Sequence, residues 1–236
     1  MNHDAEARAW HAREVMRARA EKAIPHVAAR TRPVQGVTDV LVYAGDRRGL
    51  FASLAAAITT SGADIASARV HTTRDGAAFD VFSVQTTDHK PFGAGNAPAL
   101  GALIARLNRA ALEDLAPPAP APLSRRALAF SIEPWVRIDN ELTPQASVVE
   151  ASGRDRPGLL ASLSRVFADA DVSIASAHID TYGERASDVF YVSEEGGGQI
   201  ASPQRIAGLR AKLETVLRAA DAGAAKQTTE RASTAR

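Results

Sequence analysis

The sequence predicts an α+β protein of two tandem βαββαβ units, each an antiparallel sheet with helices on one face. Three observations carry this reading. Asp46-Arg47-Arg48-Gly49-Leu50-Phe51 returns 109 residues later as Asp155-Arg156-Pro157-Gly158-Leu159-Leu160. Each copy follows an alternating apolar run and precedes a helical apolar spacing, Leu50-Leu54-Ile58 and Leu159-Leu163-Phe167. The register then persists: Ala52-Ser53-Leu54 becomes Ala161-Ser162-Leu163, and Ile65-Ala66-Ser67-Ala68 becomes Ile174-Ala175-Ser176-Ala177. After one residue is lost in a turn, Asp80-Val81-Phe82 aligns with Asp188-Val189-Phe190. Length variation of this kind is tolerated in hairpin tips, here Arg74-Asp75-Gly76 and Tyr182-Gly183-Glu184. Such a repeat is a duplicated domain.

Residues 4 to about 24 form a helix candidate rich in Ala, Arg and Glu, ended or bent by Pro25. Trp10 and Met16 are its only large apolar groups before Ile24, so it reads as a solvated connector, or as a lever docking on a partner domain through Trp10. Residues 1–36 are therefore set apart from the first unit, at 37–138. Val37 to Gly45 is the first strand, with Val40, Val42 and Ala44 on one face and Leu41 and Tyr43 on the other. A helix from about Arg48 to Thr60 ends at Ser61-Gly62, a left-handed glycine cap. Ile65 to Thr73 and Ala78 to Gln85 form a hairpin, and a helix follows from about Ala97 to Leu115. The Pro-rich stretch 116–122 reads as a stiff linker leading to a last strand, Trp135 to Ile138.

The second unit, at 146–220, repeats the order: a strand from 146 to 153, a helix from Pro157 to Ala170, a hairpin of 174–181 and 186–193, and a helix from Pro203 to Ala220. Pro157 suits the first position of its helix, where a missing N–H costs nothing. Residues 221–236, polar and Ala-rich, read as a disordered tail.

Composition narrows the function classes. The 236 residues are 45% hydrophobic with a formal charge of +1, so no strong field favours nucleic acid or an acidic surface. The absence of cysteine removes disulfides, thiolate metal sites and cysteine nucleophiles, and suits the cytoplasm. No apolar run reaches the roughly 18 residues of a membrane span, and the N-terminus lacks a signal-peptide core. Ser53, Ser162 and Ser164 have no sequence-adjacent base, and His178 has no histidine at strand or helix spacing for a metal pair. No cofactor is expected.

The βαββαβ order is that of a ferredoxin-like sandwich, which serves many functions. RNA-binding members need stacking aromatics on the central strands, where this chain offers Ala, Ser, Val and Asp. The Asp-Arg-x-Gly-Leu turn followed by a strand of small residues resembles the ACT domain, a small-molecule sensing module of amino-acid metabolism. Residues 153–160, Ser176-Ala177-His178-Ile179, 181–186 and Asp188 to Val192 further resemble the C-terminal tandem ACT region of bacterial PII-protein uridylyltransferase/uridylyl-removing enzymes. Gly36-Val37-Thr38, 46–51 and Asp80 to Gln85 fit the same family, so the resemblance covers roughly residues 30 to 220.

The resemblance implies that the chain binds glutamine and belongs to nitrogen regulation, where this region switches the enzyme from attaching UMP to PII towards removing it. Implied partners are the amino acid, the PII signal protein or a separate catalytic domain, and a second copy through ACT pairing. The implied effector-binding residues are Asp46, Arg47, Gly49, Leu50, Asp64 and Ile65 in the first unit, and Asp155, Arg156, Gly158, Leu159, Ser173 and Ile174 in the second. Asp46 and Asp155 read equally as helix-capping acids. Arg48 departs from the family's Pro, which ranks the second turn above the first. No Gly-Ser turn followed by paired acidic ligands occurs, and the single His-Asp pair is His3-Asp4, so neither uridylyl chemistry is expected of this chain alone. Magnesium is expected only for a full-length family enzyme. A fragment of the bifunctional enzyme, or an interaction module without ligand binding, are the competing readings.

Overall fold

The computed structural model describes residues 5–73, 76–119 and 132–234, and divides into two compact units, Met1–Leu115 and Ala116–Arg236. The first unit holds α1 (Ala5–Glu21), β1 (His26–Arg32), β2 (Val37–Gly45), α2 (Leu50–Thr60), β3 (Asp64–Thr72), β4 (Ala77–Gln85) and α3 (Ala97–Leu112). The second holds β5 (Trp135–Asp139), β6 (Ser147–Arg154), α4 (Leu159–Asp169), β7 (Val172–Tyr182), β8 (Arg185–Glu194) and α5 (Pro203–Thr234). The strand order is β1-β2-β4-β3 in the first unit and β7-β8-β6-β5 in the second, and each pairing within a unit is antiparallel.

Each unit is thus ββαββα rather than βαββαβ. The outer strand beside the motif-bearing strand comes from before it, not from after the second helix. In the first unit that strand is β1, whose Arg30 pairs with Asp39. In the second it is β5, whose Ile138 pairs with Val149. The strand at 135–139 therefore closes the second sheet, not the first, and the Pro-rich stretch follows the first unit instead of lying inside it. Residues 120–122 of that stretch, like the hairpin residues 74 and 75 and the His3-Asp4 pair, lie outside the described residues. Either source of an edge strand gives the same antiparallel ladder, so local sequence pattern does not distinguish them.

Helices cover one face of each sheet. In β4 and β8 the residues facing them alternate as Ala78, Asp80, Phe82, Val84 and Ala186, Asp188, Phe190, Val192, all buried. Phe82 stacks on Phe51 of α2 with ring centroids 5.4 Å apart, and Phe190 meets Phe167 of α4 at 4.9 Å.

The first sheet is covered on its second face as well. Trp10 of α1 is only 6% exposed and packs, with Ala18, on Leu41, Tyr43 and Ala77. His26 Nε2 lies 3.0 Å from Glu14 Oε2, and Arg19 Nε donates to the Tyr43 hydroxyl at 3.0 Å. The N-terminal helix is therefore part of the first unit and not a solvated connector. Small residues at Ala7 and Ala18 let it approach the sheet, which is why few large apolar groups suffice. At the other end, α5 continues as backbone helix to Thr234 where a disordered tail was expected; Ala219, Ala220, Ala222, Ala224 and Ala225 lie in that stretch, and alanine is the strongest helix former. Among the described residues no helix is long and apolar enough to cross a membrane.

Candidate functional site

The two copies of the motif adopt one backbone geometry. Leu50 N–H donates to the Arg47 carbonyl at 3.1 Å, and Leu159 N–H to the Arg156 carbonyl at 3.1 Å. Gly49 has φ 76°, ψ 3° and Gly158 has φ 80°, ψ 3°. Each is the third residue of a type II β-turn, a conformation that a Cβ disfavours. Pro157 is consequently the second residue of that turn, where its fixed φ is pre-set, and not the first residue of the helix. The helices start at Leu50 and Leu159, two residues later than the sequence suggests.

Neither Asp46 nor Asp155 caps its helix: both helices have glycine at the N-cap, with no side-chain capping bond. Instead each aspartate ends its strand against the neighbouring hairpin. Asp46 N–H donates to the Gly76 carbonyl at 3.3 Å, and Asp155 N–H to the Glu184 carbonyl at 2.9 Å. Thr72 Oγ1 donates to Asp46 Oδ2 at 3.1 Å. Asp46 is exposed, whereas Asp155 is half-buried.

The motif arginines brace the turns. Arg47 donates to the carbonyls of Ala110 at 2.8 Å and Glu113 at 2.6 Å, at the C-terminal end of α3, where a cation also complements the helix dipole. Arg156 is buried and reaches the Val216 carbonyl of α5 at 3.3 Å. Burial pushes its guanidinium pKa down, opposed by the charge of Asp155.

Beneath each turn lies an acid that motif reading overlooked as a site residue. Asp80 is 1% exposed and Asp188 3%, and in each the Oδ1 atom is buried without a hydrogen-bond partner. Burial pushes Asp80 well above the ordinary carboxylate range, and the nearby charge of Asp46 pushes the same way, against a backbone hydrogen bond from His71. Asp188 is raised in the same manner, by burial first, then by Asp155 and Asp180, against a backbone bond from Asp180. The detectable signal was an ionisable residue inside an apolar alternation, kept in both copies; a buried carboxyl is costly, and one lacking a partner more so.

The remaining candidates do not converge on the turns within a unit. Asp64 and Ile65 open β3, and Ser173 and Ile174 lie at the start of β7, beyond the far end of the intervening helix. An 11-residue helix separates the two ends by about 16 Å. At both places the ladder carries a bulge, between Ile65 and Ser67 and between Ile174 and Ser176. What the structure does bring together is the turn glycine, the strand-end aspartate, and the first helical turn. The amides of Phe51 and Ala52, and of Leu160 and Ala161, stand in the first turn, where helix geometry provides no carbonyl partner. That pairing of a carboxylate with helix-start amides can receive an ammonium and a carboxylate at one place.

The family model for the ACT domain matches residues 147–202. The bifunctional uridylyltransferase/uridylyl-removing enzyme of Caulobacter vibrioides (strain NA1000 / CB15N) is 44% identical over 217 residues, which is 91% of this chain and 23% of that protein. The enzyme of the same description from Phenylobacterium zucineum is 46% identical over 200 residues, 84% of this chain and 21% of that protein. That from Azospirillum brasilense is 38% identical over 183 residues, 76% and 20%. The crystal structure of aspartate kinase from Synechocystis superposes with a TM-score of 0.43 and 18% identity, covering 78% of this chain and 27% of that one. The chain spans about a fifth of the length of the curated relatives it matches. It carries an ACT domain at residues 147–202, and over most of its length it is a homologue of the C-terminal region of bifunctional uridylyltransferase/uridylyl-removing enzymes.

Proposed function

We propose that the chain is an amino-acid-sensing regulatory module that binds glutamine at its strand–helix turns, acting in nitrogen regulation as the regulatory part of a PII-directed uridylyltransferase/uridylyl-removing system. The observation that carries the reading is the pair of superposable type II turns, each with a left-handed glycine at a helix start and an aspartate at the strand end. An amino acid presents a carboxylate, an ammonium and a side chain. The helix start favours the carboxylate by about 0.3–1 kcal/mol through the dipole. A partly buried aspartate favours the ammonium by about 1.5–3 kcal/mol through charge-assisted hydrogen bonds. The preference for glutamine rests on the family resemblance of the sequence and not on the geometry. Half-burial of Asp155 and the rigid Pro157 rank the second turn above the first, where Asp46 is exposed and Arg48 replaces proline. PII, a separate catalytic domain, and a second copy of the chain are the partners this role calls for.

Calorimetry with glutamine, glutamate and serine tests the reading. Glutamine heat is expected, weakened about tenfold in Asp155→Asn, which corresponds to roughly 1.4 kcal/mol. No heat at millimolar glutamine would leave the interaction module without ligand binding as the better account, and unchanged affinity in Asp155→Asn would move the site away from the second turn.

A further inference from the structure

The first unit contains a cavity of about 290 Å³ between α1 and the sheet face turned away from α2 and α3. Ala7 and His11 of α1 line one side. Arg32 of β1, Asp39 of β2, Ser67 and Arg69 of β3, and Ser83 of β4 line the rest, with Gln35 and Val81. None of these residues belongs to the strand–helix turns.

Asp39 is the floor of this cavity and not its ligand group. It is 3% exposed, and its carboxylate already takes Ser83 Oγ at 2.9 Å, Arg32 Nη1 at 3.4 Å and Arg30 Nη2 at 3.6 Å. Arg30 also pairs with Glu6 at 3.3 Å, and Arg69 brings a further guanidinium to the wall beside the imidazole of His11. Hydroxyl, amide and guanidinium groups from β1, β3, β4 and the turn between β1 and β2 converge there. Burying such a cluster is costly, and a well-packed apolar core would serve stability as well or better.

The duplication supplies a control, because the second unit has the same turns without this cluster. At the 109-residue offset Asp39 becomes Val148 and Arg69 becomes His178, and at the later offset Ser83 becomes Tyr191. By strand register Arg30, opposite Asp39, corresponds to Asp139, opposite Val148, so Arg32 corresponds to Glu141. Three arginines of one unit are thus two acids and a histidine in the other. The shared sheet and turns therefore do not require the cluster; it belongs to the unit whose sheet carries α1.

We propose that this cavity is a second binding site, specific to the first unit, for the oxyanion of a small metabolite, carboxylate or phosphate. The volume equals that of roughly ten waters, which suits a small molecule and excludes a peptide or nucleic acid. Guanidinium groups bind both oxyanions through paired N–H donors. Since α1 supplies part of the wall, an occupant ties that helix to the sheet, and its affinity reads out the docking of the N-terminal segment. The proposal is independent of glutamine binding at the turns.

Trp10 reports the site directly: it lies one residue from His11, and the Arg30 guanidinium stacks over its ring at 5.0 Å. With Trp135, the only other tryptophan, replaced by phenylalanine, its fluorescence is titrated with inorganic phosphate and with succinate at constant ionic strength. A saturable change at millimolar probe is expected, and which probe gives it assigns the oxyanion. Arg69→Gln should weaken binding about tenfold, and Ala66→Leu, which fills the cavity and removes no charge, should do the same. His178→Gln, the equivalent position of the second unit, should leave it unchanged. Circular dichroism confirms that each variant is folded. Absence of a saturable change with both probes, or equal binding in folded Arg69→Gln and wild type, overturns the proposal.

Discussion

The two units share a turn and differ in what surrounds it. In the first, α1 seals the second face of the sheet, so β2 is buried along nearly its whole length. In the second, no described helix of the unit covers that face: Tyr191 of β8 is 39% exposed and Trp135 of β5 43%. The turns themselves invert this ranking. Asp46 is exposed and Arg48 is the second residue of its turn, while Asp155 is half-buried and Pro157 holds that place. Coverage of the sheet and quality of the turn are thus separable, because they depend on different parts of the unit.

The largest expected effect removes the cover. Trp10→Ala deletes the one large side chain of α1 in the core and should cost the first unit about 3–5 kcal/mol. Hydrogen exchange of the α1 amides should accelerate strongly, with the α4 amides unchanged; matched acceleration in both helices would mean that the cover is not confined to one unit. Next is Gly153→Ala. The first unit has Ala44 at this position, but in the second a Cβ would meet Leu217 Cδ2 of α5 at 2.9 Å. Overpacking of this kind costs about 1–3 kcal/mol, to be read from denaturant unfolding of the second unit. A neutral result would mean that Leu217 swings aside.

Arg48→Pro should make the first turn like the second. The position is the second residue of a type II turn, so proline should stabilise by about 0.4–1 kcal/mol and, under the proposed function, bring the two turns closer in affinity. Destabilisation would show that the Arg48 side chain matters more than the backbone.

The smallest effect at any single pH is a slope that both units should share. Asp80 and Asp188 have folded-state pKa values raised by burial above the unfolded value of about 3.9. The unfolded chain therefore releases these protons first, and stability falls as pH rises from that value through the raised one. Asp188→Asn cannot ionise, so its thermal midpoint should gain on wild type as pH increases from acid to neutral. A midpoint difference independent of pH would mean that Asp188 is ionised in the fold.

The sequence by itself determined the duplication, the strand and helix that flank each turn, and the need for glycine at 49 and 158. These depend on residues within a few positions of one another: an alternation for a strand, a helical spacing, a turn with one left-handed residue. The buried acids Asp80 and Asp188 were also legible, as charges interrupting an apolar alternation twice.

Tertiary structure alone decided which strand closes each sheet, what α1 does, and where the motif arginines point. His26–Arg32 carries three ionisable groups and one large apolar residue, so little in it marks a strand until β2 supplies the partner ladder. Trp135–Asp139 could pair on either side of the Pro-rich stretch, and the choice is made by Ser147–Arg154, not by the strand itself. Arg47 and Arg156 look alike to a ligand-seeking reading, but the carbonyls they bind lie more than 50 residues away along the chain. Pairings at such separations are set by the packing of whole elements, which no local pattern encodes.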